Sequence, residues 1–337
     1  MTERLLHFYG KDFTREQRIY YYDFIENFIA DNVKDWSKPP ETDKIADAFG
    51  NVISKFAIED FAFLLSHSGY IPEFYEHDSS QETLYSKLIE VLVCEWAKRV
   101  GFKDSYIQKQ KASKEDVTIQ VDDTVIVCDA KSYRLGRSQA APNVKDTIKK
   151  ADYEKWQEWW HLSEPHAEYG KFKSIGGLIT FPSLHRWKGS SDAYLYSTDK
   201  HRPIVIIFYE HLAYFLLRGY DYQTIINLIN NYPELFPAAS KNQHTYFETI
   251  LKNMFTKDWE DFFEYLKLFA EIVKEKVINT VDRISTHLEE SKKRIRMEIE
   301  AIEVDKLREY LIESRLENEC GQILKQLENI KKFRPTH

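Results

Sequence analysis

Residues 116 to 131 constrain the fold more than any other part of the chain, because their side chains alternate as in two β-strands. The stretch reads D-V-T-I-Q-V-D-D-T-V-I-V-C-D-A-K. A two-residue turn at Asp122 and Asp123 predicts an antiparallel hairpin, although Asp-Asp is a weaker turn pair than Asn-Gly or Asp-Gly. Counting outward from that turn places Asp116 directly opposite Asp129.

The same register sorts the hairpin side chains onto two faces. The first face is expected to be core, while the second holds both aspartates and, two residues further on, Lys131. The predicted core face comprises Val117, Ile119, Val121, Thr124, Ile126 and Cys128.

Two carboxylates that face each other across a strand pair destabilise it. A divalent metal ion between Asp116 and Asp129 would compensate, since hard cations prefer oxygen ligands. The alternative is that these acids are ordinary solvated strand ends, because D-x-K triplets are common by chance. A register slip of one residue would also remove the pairing.

Composition excludes several classes of protein. The chain has 337 residues, with 43% hydrophobic and 30% charged residues, as in a soluble globular protein. The net charge of −7 argues against a nonspecific nucleic-acid coat protein but allows a DNA enzyme with one basic cleft. Three scattered cysteines suit a reducing cytoplasm, and we expect no signal peptide and no membrane span.

Apolar spacing, glycine and proline predict the remaining elements. The first seventy residues read as helices, and another helix begins with a capping-box pattern at Ser79-x-x-Glu82 and stops at Gly101. Further elements are a strand near Tyr106, a helix near 144–160, strands at 176–181 and 204–208, and a helix at 210–217. The last strand is an apolar run suited to the centre of a sheet. The order predicts an α/β (α+β) fold, with a mixed β-sheet flanked by helices and helical N- and C-terminal regions.

Glu90 is unusual because it lies among apolar residues of the predicted helix, where a carboxylate needs a partner. One interpretation places it at the edge of the apolar stripe, reaching water or pairing with Lys87. The other makes it a third active-site carboxylate.

Basic and polar residues flank the hairpin on both sides, which suits a substrate with a phosphate backbone. For any single residue, an ordinary solvated surface is the favoured explanation. Candidates for DNA contact are Lys109, Lys111, Arg134, Arg137, Ser138, Gln139, Asn143 and Lys145. The loop from 132 to 143 and the helix predicted after it are the candidates for reading base edges, through Ser138, Gln139 and Asn143.

The C-terminal portion differs in kind, because no Gly or Pro occurs between Pro237 and Gly321. Its apolar residues recur at a spacing of four and three, which indicates packed helices, either a short coiled coil or a bundle that pairs two subunits. This stripe comprises Val277, Val281, Ile284, Leu288, Ile295, Ile299 and Ile302.

With Asp116, Asp129-Ala130-Lys131 and an upstream helix that carries Glu90, the chain resembles the PD-(D/E)xK nucleases. Six stretches resemble the HindIII-type restriction endonucleases within that superfamily and occur in the same order. They cover residues 65 to 220 and read G-Y-I-P-E, S-S-Q-E-T-L-Y-S-K, E-D-V-T-I, D-A-K-S-Y-R-L-G-R, Y-E-K-W and F-Y-E-H-L-A. Two departures from the superfamily pattern are Glu115 in place of proline and aspartate rather than glutamate at Asp129; the second matches this branch.

The resemblance implies a type II restriction endonuclease that makes Mg²⁺-dependent double-strand cuts at a short palindromic DNA sequence and leaves 5′-phosphates. It implies a homodimer, a cognate DNA methyltransferase and a bacterial or archaeal cytoplasm. Asp116 and Asp129 would bind the metal with the carbonyl of Ala130 and with Glu90, and Lys131 would act on the water or the transition state. The expected regions are a helical N-terminal region at 1–70, a nuclease core at 71–240, and a helical C-terminal region at 241–337 that serves dimerisation.

Other functions remain open at this point. The same residues would serve a structure-specific or repair nuclease of the superfamily. A DNA-binding protein that keeps the fold without catalysis is a further alternative, disfavoured because Asp116, Asp129 and Lys131 are all present. The C-terminal helices could also make the protein mainly an interaction module.

Overall fold

A computed structural model describes residues 14–107, 115–134, 173–182, 203–235 and 243–332. Within these ranges the chain forms a five-stranded mixed sheet and ten α-helices, so the predicted class is confirmed. The helices before the sheet are α1 Arg15–Tyr22, α2 Phe24–Asn32, α3 Thr42–Ile53, α4 Ile58–Ser66 and α5 Ser80–Arg99.

The predicted hairpin is present in the predicted register. Strand β2 (Val117–Val121) pairs antiparallel with β3 (Thr124–Ala130), with Val121 opposite Thr124 and Val117 opposite Cys128. Asp122 in the turn has a positive φ of 48°, a conformation that aspartate tolerates better than most residues.

Three further strands complete the sheet in the order β1-β2-β3-β4-β5. Strand β1 (Asp104–Ile107) pairs antiparallel with β2, whereas β4 (Lys173–Phe181) and β5 (Ile204–Phe208) continue in parallel from β3. The prediction that β5 is a central strand is wrong for the described sheet, since β5 ends the strand order. It is nevertheless fully buried, and burial alone does not distinguish a central strand from a covered edge.

The sheet is buried on both faces where the hairpin lies. Val125 and Val127 are fully buried, as are Ile119 and Ile126 of the predicted core face. Helix α5 packs on β1, β2 and β3. The hydrophobic pattern therefore identified one core face correctly but did not predict that the second face is also buried.

Helix α5 begins as its sequence predicts. The Ser79 side chain accepts a hydrogen bond from the backbone N–H of Glu82 at 3.3 Å, which caps the helix. The Glu82 carboxylate instead accepts from the N–H of Asp78 at 3.0 Å, one residue before the position that a capping box requires. The helix ends before Gly101, whose φ of +94° suits glycine.

The helices after β5 are α6 Tyr209–Leu217, α7 Tyr222–Leu235, α8 Gln243–Met254, α9 Trp259–Glu300 and α10 Val304–Lys332. Helix α6 packs on α4 and α5, and the indole N–H of Trp96 donates to the carbonyl of Leu212 at 3.0 Å. These contacts fix the start of α6 beside the carboxyl ends of the parallel strands.

The chain divides into two compact units, residues 1–280 and residues 281–337. In the first unit, the guanidinium of Arg18 donates to Glu275 at 2.6 Å, and the ammonium of Lys276 donates to the carbonyl of Tyr22 at 2.5 Å. The first part of α9 is therefore bound to α1. None of the helices in the described part of the chain has the length and apolar character that crossing a bilayer requires.

Candidate active site

Asp116 and Asp129 meet at the end of the hairpin opposite its turn. The backbone N–H of Asp116 donates to the carbonyl of Cys128 at 3.1 Å. The Asp116 carboxylate in turn accepts from the N–H of Ala130 at 3.1 Å. The Asp116 side chain is thus held against the last residue of β3, immediately after Asp129.

Lys131 lies on the outer side of this acid pair. Its ammonium is 2.7 Å from Oδ1 of Asp129. The Asp129 side chain is 2% exposed, whereas that of Lys131 is 24% exposed. The lysine therefore connects a buried carboxylate to the protein surface, where a substrate could reach it.

The electrostatics of Asp129 follow from this arrangement. Burial raises the pKa of the Asp129 carboxyl well above its ordinary value; the Lys131 ammonium lowers the pKa, and the nearby Asp116 carboxylate raises it. The negative charge of Asp129 is consequently costly without a cation. Oδ2 of Asp129 is buried and makes no hydrogen bond within the described residues.

The donor set at this position fits a magnesium ion. Mg²⁺ uses one or two carboxylates, keeps several waters and completes its shell with substrate phosphates. Asp116 and Asp129 supply two carboxylates. Oδ2 of Asp129 makes no hydrogen bond within the described residues, and a cation bound there would offset the cost of burying this charge beside Asp116. Within the described residues, no three His, Cys, Asp or Glu side chains form a metal-binding group.

Glu90 is close to this site but is not gathered with the two aspartates. It is 2% exposed on α5, and its carboxylate is 3.7 Å from the Lys87 ammonium, as one of the two interpretations predicts. Burial raises the pKa of the Cys128 thiol, and Asp129, Asp116 and Glu90 raise it further, so all three carboxylates act on one point of the sheet. A role for Glu90 as a metal ligand stays a prediction.

Arg134 has a different position from the one expected of a DNA contact. Its guanidinium is buried and donates to the carbonyl of Pro72 at 2.9 Å and to the carboxylate of Glu82 at 3.2 Å. It also donates to the carbonyls of Glu73 and Glu76. This position gives the predicted DNA contact no support, because the guanidinium is buried and both of its terminal nitrogens donate within the protein.

The other predicted DNA contacts lie outside the described residues. So does the predicted helix near 144–160. The contacts concerned are Lys109, Lys111, Arg137, Ser138, Gln139, Asn143 and Lys145.

Sequence reasoning missed the residues that support Lys131. The hydroxyl of Tyr209, the first residue of α6, donates to the backbone carbonyl of Lys131 at 2.8 Å. Thr180 on β4 accepts from the N–H of Lys131 through its carbonyl, at 2.9 Å. Tyr209 belongs to the F-Y-E-H-L-A stretch that carried the resemblance, but nothing in that stretch indicates its contact with Lys131.

Two carboxylates and a lysine at one strand end are groups that could hold a divalent metal ion beside a phosphate. The sequence profile of the HindIII restriction endonuclease family matches residues 41–317. The chain belongs to the HindIII restriction endonuclease family, and is therefore a restriction enzyme, a nuclease whose substrate is DNA. No curated protein matches the chain.

Proposed function

We propose that the protein is a type II restriction endonuclease that cuts both strands of a short palindromic DNA sequence in a Mg²⁺-dependent reaction and leaves 5′-phosphates. The observation that carries this proposal is the cluster of Asp116, Asp129 and Lys131 at the joined ends of β2 and β3. Membership of the HindIII restriction endonuclease family supports DNA as the substrate.

Asp116 and Asp129 would hold the magnesium ion, with the backbone carbonyl of Ala130 and Glu90 as further ligands. When bound, the ion would act as a Lewis acid on the scissile phosphate and neutralise part of its charge. The protein's own contribution is to hold the Asp116 carboxylate with the N–H of Ala130 and to shield the Asp129 carboxylate from water by burial.

Lys131 would act directly on the reacting phosphate. Phosphodiester hydrolysis builds negative charge on the phosphate oxygens, and a fixed ammonium stabilises that charge. Asp129 holds the Lys131 ammonium at 2.7 Å, while the partly exposed side chain faces the surface. Lys131 can therefore orient the attacking water or donate to a phosphate oxygen without being reorganised.

A homodimer with one active site for each DNA strand follows from the palindromic site. We propose that the second unit, residues 281–337, pairs the two subunits. Its helices expose large apolar side chains, and exposed apolar patches mark protein–protein interaction sites. These side chains include Val281, Leu288, Ile295, Met297, Val304, Leu311, Ile312 and Leu316.

The cellular setting is part of the same proposal. An enzyme that cuts a short DNA sequence requires protection of host DNA, so we propose a cognate DNA methyltransferase as genetic partner. The expected compartment is the cytoplasm of a bacterial or archaeal cell.

Sequence recognition is proposed to come from the loop at 132–143 and the helix predicted after it, whose side chains would reach base edges.

Digestion of plasmid and phage DNA by the purified protein tests the proposed function. We expect discrete fragments in Mg²⁺, with end sequences that share one palindrome and with ends that ligate without added kinase. A smear, or preference for flaps and nicks, would indicate a structure-specific or repair nuclease instead. Binding to DNA without cleavage would leave a non-catalytic DNA-binding protein.

A further inference from the structure

The backbone of Lys131 is held from two sides just beyond the end of β3. Strand β3 ends at Ala130, so Lys131 is the first residue outside the strand. Its N–H still donates to the carbonyl of Thr180 on the neighbouring parallel strand, at 2.9 Å. Its carbonyl accepts from the Tyr209 hydroxyl at 2.8 Å, and Tyr209 belongs to a helix, not to the sheet.

Tyr209 is itself fixed by burial and by a second hydroxyl. Both Tyr209 and Thr180 are fully buried. The Thr180 hydroxyl lies 3.4 Å from the Tyr209 hydroxyl and 3.5 Å from the carbonyl of Asp129. The tyrosine therefore joins the backbones of the two residues whose side chains form the ion pair of the active site.

The ring of Tyr209 has little freedom to move. A Cβ atom placed on Gly69 would lie 2.7 Å from Cε2 of that ring, so the backbone of residue 69 packs directly against it. The carbonyl of Gly69 accepts from the N–H of Tyr133 at 2.9 Å, and the Tyr133 hydroxyl donates to the carbonyl of Pro182 at 2.8 Å. The segment that follows Lys131 is thus bound to the same group of residues as Tyr209.

We propose that Tyr209 is a positioning residue for the nuclease reaction. By holding the Lys131 carbonyl, Tyr209 orients the Lys131 ammonium toward Asp129. This inference rests on the proposed function. The Tyr209 hydroxyl holds the carbonyl of Lys131, and the carbonyl of Thr180 holds its N–H. These two contacts set the direction of the backbone from which the Lys131 side chain extends. Because Tyr209 is fully buried, it would act through Lys131 and not on the DNA directly.

The variant Tyr209→Phe removes one oxygen and keeps the ring against Gly69. We expect the maximal single-turnover cleavage rate to fall about 10- to 100-fold, as for other residues that orient a catalytic group. The half-saturating enzyme concentration should stay within about twofold of wild type, because DNA contacts are unchanged. Both quantities come from the dependence of the cleavage rate on enzyme concentration with one plasmid that wild type cuts.

Tyr214→Phe is the matched control. Tyr214 lies on the same helix, and its hydroxyl donates to the backbone carbonyl of Asp258 at 3.4 Å. This variant should cut at the wild-type rate and should lose a similar amount of thermal stability. An unchanged rate in Tyr209→Phe would overturn the proposal, and so would a fall that only parallels a loss of DNA affinity or of thermal midpoint.

A second variant covers the case in which Tyr209→Phe does not fold. Thr180→Val removes the hydroxyl that contacts Tyr209 and keeps the shape of the side chain. A reduced maximal rate at unchanged half-saturation is expected, and a wild-type rate would overturn the proposal. Failure of the wild-type protein to cut any DNA is a different result, because it would contradict the proposed function itself.

Discussion

The charged form of the Asp129 carboxylate depends on nearby cations. Its side chain is almost inaccessible to water, a like charge from Asp116 is close, and Lys131 compensates only one of its two oxygens. A carboxylate in such a position is costly to the fold without a cation. The cost is understandable if the site is built for a metal ion and a phosphate.

Arg134 is expected to act on stability and not on DNA binding. Replacing it with methionine should lower the free energy of unfolding by about 2–4 kcal/mol, because buried acceptors lose their donors. Urea unfolding measures this loss. Arg294→Met is the control, since the Arg294 side chain is 71% exposed, and should change stability by less than about 0.5 kcal/mol. Weaker DNA binding at unchanged stability in Arg134→Met would contradict the assignment.

His211 should make the folded state sensitive to acid. Burial lowers the pKa of His211 from 6.5 to about 3, so below pH 6.5 only the unfolded chain takes up this proton. Stability should therefore fall from about pH 6.5 toward pH 3, with a contribution of up to about 1.4 kcal/mol per pH unit. The variant His211→Phe should show a shallower dependence between pH 7.5 and 5.5 in guanidinium unfolding.

The control for this prediction is His287→Gln, because His287 is exposed. Its pH dependence should match that of wild type. If His211→Phe and wild type lose stability equally over the same interval, burial of His211 does not contribute to acid sensitivity. The buried His67, whose pKa is also lowered by burial, then becomes the next residue to test.

Among single residues, the acid pair and the lysine could be predicted from the sequence because the hairpin register follows from alternation and a two-residue turn. The role of Arg134 could not. Its loop is rich in polar and basic residues, and the carbonyls that bind it come from residues about sixty positions earlier. Such contacts depend on tertiary packing that local sequence does not express.

At the scale of elements, the hairpin, β4 and α6 meet at one place because β3, β4 and β5 run parallel. The carboxyl ends of these strands therefore share one edge. Helix α6 begins there directly after β5, which delivers Tyr209 to the end of β3. The strands were predictable from their apolar runs, whereas the strand order was not, since periodicity carries no information on which strands pair.

Gly69 is expected to be essential to the junction between these elements. Its φ is +88°, and a Cβ atom would lie 2.7 Å from the Tyr209 ring. Gly69→Ala should therefore destabilise the fold by about 1–3 kcal/mol beyond the cost of the left-handed conformation itself. Thermal or urea unfolding gives this difference, and cleavage should weaken in parallel.

Gly219 provides a control with the same backbone cost. Its φ is +69°, but nothing lies within 4 Å of an added Cβ atom. Gly219→Ala should lose only about 1–2 kcal/mol, the conformational part of the effect. Equal losses in the two variants would show that contact with Tyr209 does not contribute.

At the scale of the whole molecule, the chain combines a large unit that holds the active site with a smaller helical unit, residues 281–337. The sequence predicted packed C-terminal helices from the apolar residues spaced four and three apart, but it did not predict that the first unit extends to residue 280. Contacts such as Arg18 with Glu275 and Asp23 with Asn279 extend the large unit well beyond residue 240. The division into regions 1–70, 71–240 and 241–337, and the role given to each region, remain predictions.

A chain that ends after Thr280 should fold with near wild-type thermal stability but lose dimerisation, because the proposed pairing helices are removed. Sedimentation velocity and a thermal scan measure these two properties. A chain that ends after Asn242 is the contrasting variant and should be strongly destabilised, since it loses Glu275 and Lys276 from contact with α1. A stable dimer of residues 1–280 would contradict the proposed role of the helical unit.

The most direct test of the central claim compares Asp129→Asn with Asp122→Asn in a plasmid digestion. Both variants make the same chemical change in one hairpin, but Asp122 is an exposed turn residue. Cleavage in Mg²⁺ should fall by about 100- to 1000-fold in Asp129→Asn, should stay at the wild-type rate in Asp122→Asn, and should stop in EDTA. Equal cleavage by Asp129→Asn and wild type would show that the acid pair is not the catalytic site.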